Sequence, residues 1–268
     1  MQAQTRSPHF NQDSTAQTYR DIQLPRVFAP WAQVLLQIQP PRPGEVVLDV
    51  ATGPGTVARQ AAALVGPRGR VVGVDISAAM LSVARLWEVE SEAAPLEYVE
   101  APSTAMPLSN ATFDVAYCQQ GLQHMSDSLA ALREIRRLLK PGGRLGVAVW
   151  KQSPFGLFRE IAANMAITGD GPRPSDFGRD PADLAASVRE AGFEDVQVQT
   201  RELVAVLEGG VPQALHVGAA TSAGAAMARL SAEQQETLRA AFAAALEPMI
   251  HDGAVHLLSI SNIATARR

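Results

Sequence analysis

Between residues 46 and 150, short runs of nearly unbroken apolar residues alternate with segments of helical spacing. Val46 to Val50, Arg70 to Asp75, Leu96 to Val99, Phe113 to Cys118 and Arg144 to Trp150 place apolar residues at both strand parities. A strand wet on one face would alternate instead, so these strands need cover on both faces, as in a parallel sheet flanked by helices. Thr56 to Leu64 and Ala78 to Glu90 read as helices, and Leu129, Leu132, Ile135 and Leu139 form the apolar stripe of a third. Ser126 is the expected N-cap of that third helix, and Lys140-Pro141-Gly142-Gly143 the expected stop. The order predicts an α/β fold built on a doubly wound sheet.

The flanking segments break this rhythm. Residues 1–18 are polar and are expected to be flexible. Residues 19–268 are expected to form a single domain with helical lid segments at 19–40, 151–179 and 208–250. In the first lid, Val27, Trp31, Val34, Leu35 and Ile38 share a helix face that Pro40, Pro41 and Pro43 terminate. Asp180-Pro181 opens a later helix, and Ser231 with Gln234 has the pattern of a capping box. Val196 to Leu207 and Val255 to Ala264 read as strands.

Composition narrows the function. The 23 basic and 27 acidic residues leave a net charge of −4 with no basic cluster, which argues against nucleic acid as partner. The single cysteine, Cys118, excludes an internal disulfide and a multi-cysteine zinc site, and no acidic group has metal-ligand spacing, so no metal is assigned. The longest uncharged stretch, residues 209–228, is mostly Ala and Gly and too weakly apolar for a membrane span. The polar N-terminal segment lacks the apolar core of a signal peptide, so a cytoplasmic location is expected.

The sharpest local signal is the turn Leu48-Asp49-Val50-Ala51-Thr52-Gly53-Pro54-Gly55. Glycine at 53 and 55 lets a ligand approach the backbone, and the following helix aims free N–H groups at it. Asp75 ends the second strand 20 residues after Gly55, where a carboxylate accepts hydrogen bonds from a ribose. A nicotinamide or flavin dinucleotide fits this pattern, since Gly53 to Ala58 satisfies G-x-G-x-x-A. S-adenosylmethionine fits it too. Asp49 tilts the reading toward the latter, because an ammonium group can use an acid there and a pyrophosphate cannot. The run Ile76-Ser77-Ala78-Ala79-Met80-Leu81 after Asp75, and the block from Phe113-Asp114-Val115 through Lys140-Pro141-Gly142-Gly143, tilt it the same way.

On those residues the chain resembles the class I S-adenosylmethionine-dependent methyltransferases, within them the group of ubiquinone/menaquinone-biosynthesis C-methyltransferases. The resemblance covers about residues 19–150 closely and implies a seven-stranded sheet whose last strand is antiparallel. It implies that Asp49, Ala51, Gly53 and Gly55 hold the methionine portion, Asp75 the ribose hydroxyls, and Ile76 and Met80 the adenine faces. Ala51 stands where many relatives carry Gly. Tyr19 falls in a segment that resembles the family's N-terminal lid and is expected to close over the methionine end. Two departures stand out. Pro102 replaces the acid that receives the adenine amine, leaving Ser103 to do so through its backbone or hydroxyl. Gln123-His124 replaces a His pair.

Gln119, near the end of the fourth strand, is expected to touch the cofactor. His124 follows the same strand and is the candidate base or acceptor contact, against the alternative of a histidine that merely caps the next helix. Methyl transfer needs a base only when the acceptor must lose a proton. The expected activity is methyl transfer to O, C or N of a small, largely apolar acceptor, in specialised or quinone-like metabolism. The alternative is a protein of the same fold that uses the cofactor without redox chemistry or methyl transfer, for a cyclisation or rearrangement. A homodimer is compatible with the sequence.

Overall fold

The computed structural model describes residues 25–87, 91–164, 176–219 and 230–268. Tyr19, the segment 1–18 expected from the sequence to be flexible, and the lid residues Met165 and Met227 lie outside them. The elements are α1 (Ala29–Ile38), β1 (Val46–Val50), α2 (Thr56–Val65), β2 (Arg70–Asp75), α3 (Ala78–Arg85), β3 (Leu96–Glu100), β4 (Phe113–Gln119), α4 (Ser128–Leu138), β5 (Leu139–Gln152), α5 (Gly156–Asn164), α6 (Pro181–Glu190), β6 (Glu194–Leu207), α7 (Gly210–Ala219), α8 (Ala232–Leu246), β7 (Ile250–His251) and β8 (Ala254–Arg267).

Seven strands lie in the order β3-β2-β1-β4-β5-β8-β6, and the two-residue β7 pairs with β8 as an eighth. The pairs among β1 to β5 are parallel, whereas β8 is antiparallel to both β5 and β6. This matches the expected doubly wound sheet with an antiparallel last strand. The chain winds outward from β1 to β3, then starts again on the other side of β1 with β4. That reversal opens a crevice at the carboxyl ends of β1 and β4, the place where open α/β sheets bind ligands.

Each face of the sheet has its own core. On one, α1, α2, α5, α7 and α8 cover Val47, Val71, Val115, Tyr117 and Ile263. On the other, α4 and α6 cover Leu48, Val72, Ala116, Val147 and Ala264. Strand residues thus bury both parities, which is why they read as continuous apolar runs. In α1, Trp31, Ala32, Leu35 and Leu36 are buried, and the helix ends before the prolines as expected.

Two local expectations are corrected. The fifth strand begins at Leu139 rather than Arg144. Lys140-Pro141-Gly142-Gly143 does end α4, but it runs straight into the sheet: Lys140 Nζ lies 2.7 Å from Asp114, Gly142 N–H donates to the Arg268 carbonyl and Arg268 N–H to that of Gly143. The N-cap of α4 is Asp127, not Ser126, and its carboxylate accepts from the Ala130 N–H at 2.8 Å. A negative cap also faces the positive end of the helix dipole favourably. The caps at Asp180 and at Ser231 with Gln234 form as the sequence indicates.

Beyond the end of β5, the first half of β8 pairs only with β6 and, at its start, with β7, joined through a turn with positive φ at Asp252 and Gly253. This ribbon rises above the carboxyl edge of the sheet. The helices α5, α7 and α8 pack on it, with the Phe158 and Phe242 rings meeting edge-on at 5.0 Å. Phe158 is fully buried in this packing.

Asn262 of β8 is fully buried and fully engaged: its amide donates to the carbonyls of Gly178 and Arg179 at 2.9 and 3.0 Å, and its oxygen accepts from Thr200 at 2.8 Å. Asn262→Ala should lower the free energy of unfolding by about 1–3 kcal/mol, since it removes three hydrogen bonds and strands the buried Gly178 carbonyl. Urea titration with an unchanged slope checks this.

Candidate cofactor and acceptor site

The chain leaves β1 through Ala51, Gly53 and Gly55, all left-handed, with φ of +55°, +53° and +78°. Only glycine takes this region without strain, which explains physically why a glycine suits position 51; Ala51 holds the same geometry at a cost of about 1–2 kcal/mol. Gly55 is the N-cap of α2 and supplies no capping side chain. The first N–H groups of α2 therefore face the crevice.

Asp49 lies at 1% exposure beneath the turn. One carboxylate oxygen accepts from the Thr52 hydroxyl at 2.6 Å and the Ala58 N–H at 3.0 Å. Burial pushes its pKa up to about 7; those two hydrogen bonds oppose the shift and the charge of Asp75 adds to it. Asp75, at the end of β2, accepts from Gly53 N–H at 2.8 Å and Ser77 N–H at 2.9 Å, one on each oxygen. Burial also raises its pKa, against these backbone hydrogen bonds. The Ile76 backbone also acts on this carboxylate, which still has acceptor capacity for a ligand. Ile76 follows at 37% exposure, an apolar side chain left open at the edge, while Met80 is buried at 4%. Ser103 donates its hydroxyl to the Met125 sulfur at 3.2 Å.

Beneath the turn stands Tyr98 of β3, a residue the sequence reading missed. Its ring passes over Gly73, where a Cβ would lie 2.9 Å from the ring, and its hydroxyl reaches the underside of Gly55, where a Cβ would overlap it. The glycine in the middle of β2 was the available signal, because such a residue marks a close approach. Arg59 of α2 braces the turn from the side: it donates to the Pro54 carbonyl at 2.6 Å and lies 4.4 Å over the Trp87 ring.

On the other wall, β4 ends in Gln119, and Gln120 just after it has a φ of +54°. Gly121 then packs so tightly on Ala51 and Cys118 that a Cβ there would lie 2.6 Å from the Ala51 methyl. Cys118 is fully buried and its pKa is pushed up to about 12 by burial first, so it is an inert thiol. Gln119 donates to the Phe28 carbonyl of the lid at 2.9 Å. Gln120 donates to the Ser261 hydroxyl at 3.0 Å, which donates in turn to the Val149 carbonyl. Trp31 Nε1 makes the same kind of bond to Ser259, 3.0 Å away. Phe28, Trp31, Trp150 and Phe155 form an aromatic cluster beside these groups, with centroid separations of 5.6–6.3 Å. His124 is exposed on a single helical turn, Leu122–His124, after β4.

The structure thus brings Asp49, Ala51, Gly53, Gly55, Asp75, Ile76 and Gln119 to one crevice. Thr56 Oγ1 on one side and Gln119 Oε1 on the other are buried without a hydrogen-bond partner among the described residues. Such atoms suit a polar ligand between them, and no side chain obstructs Gly53, where a Cβ would meet nothing within 4 Å. The donor set matches S-adenosylmethionine: a buried acid for an ammonium group, backbone N–H groups for a carboxylate and Asp75 for a diol.

The raised pKa of Asp49 has a measurable sign. Its unfolded carboxyl ionises near 3.8, so the free protein loses stability as pH rises from there to about 7, by about 1.4 kcal/mol per unit. In Asp49→Asn that loss is absent. The stability of the variant relative to wild type, from urea unfolding, should grow between pH 4.5 and 6.5 and level off above 7; a difference independent of pH would contradict the assignment.

Comparison with known proteins agrees with this geometry. The family described as "Methyltransferase domain" matches residues 48–147. A ubiquinone/menaquinone biosynthesis C-methyltransferase from Hahella chejuensis is 36% identical over 137 residues, half of this chain and 55% of that relative. Its counterpart from Ectopseudomonas mendocina is 32% identical over 183 residues, 62% of this chain and 72% of that relative. For most of these relatives the matched region spans about half of their length. Among solved structures, the [4+2]-cyclase SpnF superimposes with a TM-score of 0.55 at 23% identity, covering 90% of this chain and 81% of that one. The YcgJ protein of Bacillus subtilis gives 0.54 at 17% identity, covering 88% and 97%. At such identities the two structures show the shared fold alone. The fold, the crevice and the sequence relatives together make this chain a member of the class I S-adenosylmethionine-dependent methyltransferases.

Proposed function

We propose that the chain transfers the methyl group of S-adenosylmethionine to O, C or N of a small, largely apolar acceptor, in the specialised metabolism of the cytoplasm. The observation that carries this reading is a crevice with two unlike walls. One wall offers Asp49, the left-handed turn and Asp75; the other offers Gln119 and the aromatic cluster of Phe28, Trp31, Trp150 and Phe155. The cofactor supplies a methyl group on positively charged sulfur, and displacement there depends on alignment of donor and acceptor.

In this reading Asp49 receives the ammonium group, the backbone at Ala51, Gly53 and Gly55 the rest of the methionine portion, and Asp75 the ribose hydroxyls. Ile76 and Met80 flank the adenine and Ser103 replaces the missing acid. Tyr19, outside the described residues, closes the lid. Gln119 keeps its amide on the Phe28 carbonyl and offers its oxygen to the site. His124 takes the acceptor proton where one must leave. The protein acts as a monomer or a homodimer, without nucleic acid. Among the described residues no helix is long and apolar enough to cross a membrane.

A second reading, cyclisation or rearrangement with the cofactor bound but its methyl retained, is favoured by one observation. The side chains buried at the end of β4 are carboxamides, Gln120 and Gln123, rather than bases. Incubation with methyl-labelled cofactor and extracts of small apolar phenols, quinols and amines separates the two. Label should pass to an organic product, and His124→Ala should slow that passage by about 10²–10⁴-fold for a hydroxyl acceptor. Turnover with all label left on the cofactor would establish the second reading.

A further inference from the structure

The single helical turn after β4 ends at Met125, whose N–H donates to the Leu122 carbonyl at 3.1 Å. The Met125 side chain is half-buried and packs against the same core as Ala51. Its methyl stands close to Gly121, where a Cβ would lie 3.5 Å from it. Its sulfur accepts the Ser103 hydroxyl at 3.2 Å. Ser103 belongs to the loop after β3, and in the sheet β2 and β1 lie between β3 and β4. The bond therefore links two loops across the carboxyl ends of the strands that carry Asp75 and Asp49.

The loop is held on both sides of Ser103. Ala101 N–H donates to the Asp75 carbonyl at 3.0 Å, and Ala105 N–H to the Pro102 carbonyl at 3.1 Å, so Ser103 is a central residue of a closed turn. Further along, Glu134 accepts from the Met106 N–H at 2.8 Å, and Arg137 donates to the Met106 and Leu108 carbonyls at 3.1 and 3.0 Å. From Ala101 to Pro107 the loop carries no charged side chain. Any polar reading of a base at this end of the crevice falls to neutral groups, and the Ser103 hydroxyl is half-buried there.

A free hydroxyl rotates and serves as donor or acceptor alike. A thioether sulfur accepts and cannot donate, so the pairing has one direction only. The single hydroxyl hydrogen of Ser103 points at Met125, and the oxygen is left as an acceptor. We infer that Met125 is a positioning residue for base selection: by committing that hydrogen, it makes Ser103 accept from the exocyclic amine of adenine and reject a purine with a keto oxygen in its place. Two acceptors set against each other leave both unpaired, which is how a polar site rejects a near-isostere. The inference rests on the function proposed above, which puts the adenine beside Ile76 and Ser103, and the test keeps the two apart.

S-adenosylhomocysteine and S-inosylhomocysteine differ in the purine alone, amine against keto, and each is titrated calorimetrically into the wild type and three variants. The wild type should bind the adenosyl compound about tenfold more tightly, or better. Met125→Leu nearly keeps the volume and removes the acceptor sulfur. The released hydroxyl can then donate to the keto oxygen, so the preference should shrink to about threefold or less, chiefly through tighter S-inosylhomocysteine. Met125→Ala should shrink it in the same direction, which covers the case that leucine is not tolerated. Ser103→Ala should shrink it through weaker S-adenosylhomocysteine. A packing role for Met125 would weaken both ligands alike and leave their ratio unmoved. A wild-type preference below about threefold, or a ratio unchanged in the Met125 variants or in Ser103→Ala, overturns the inference. Failure of the wild type to bind S-adenosylhomocysteine overturns the function reading instead.

Discussion

The Asp75 carboxylate takes one N–H from Gly53 and one from Ser77, and through these two bonds the end of β2 fixes the turn that leaves β1. The bond to Gly53 spans neighbouring strands and holds a turn in which three residues are left-handed. Such a turn would otherwise relax, because its own backbone bonds are few. With it held, the N-terminus of α2 points into the crevice and Tyr98 fits under Gly55. The same carboxylate that shapes the floor is also positioned to meet a ligand, so shape and recognition are coupled at one side chain.

The second wall is fastened by the antiparallel strand. Ser259 and Ser261 lie on one face of β8, both almost fully buried. Each accepts from a site residue, Trp31 or Gln120, and donates to a strand carbonyl, Leu203 or Val149. A buried hydroxyl that both accepts and donates avoids the penalty of an unmade bond. The lid helix and the turn after β4 are thereby referenced to the same strand, which fixes the distance between them.

Much of this was legible in the residues. Strand runs apolar at both parities, the glycines at 53 and 55 and the acids at 49 and 75 carry local signals that tertiary packing does not overrule. What was not legible came from contacts between distant segments. Tyr98 looked like any strand aromatic until Gly73 was seen to admit its ring. The start of β5 was hidden because Lys140-Pro141-Gly142-Gly143 carries strong stop signals, yet pairing with Arg268 lets the strand begin at once. Asp127 and Ser126 both suit an N-cap, and only the geometry of the last turn decides between neighbours.

The cap over the crevice is not a separate module. Its ribbon consists of the upper halves of β6 and β8, whose lower halves belong to the main sheet, with β8 wedged between β5 and the edge strand β6. Any exchange of caps between relatives must therefore cut through two continuous strands and preserve their register. New acceptor preferences in such a scaffold should arise by substitution on α5, α7 and α8, residue by residue, more readily than by shuffling of whole segments.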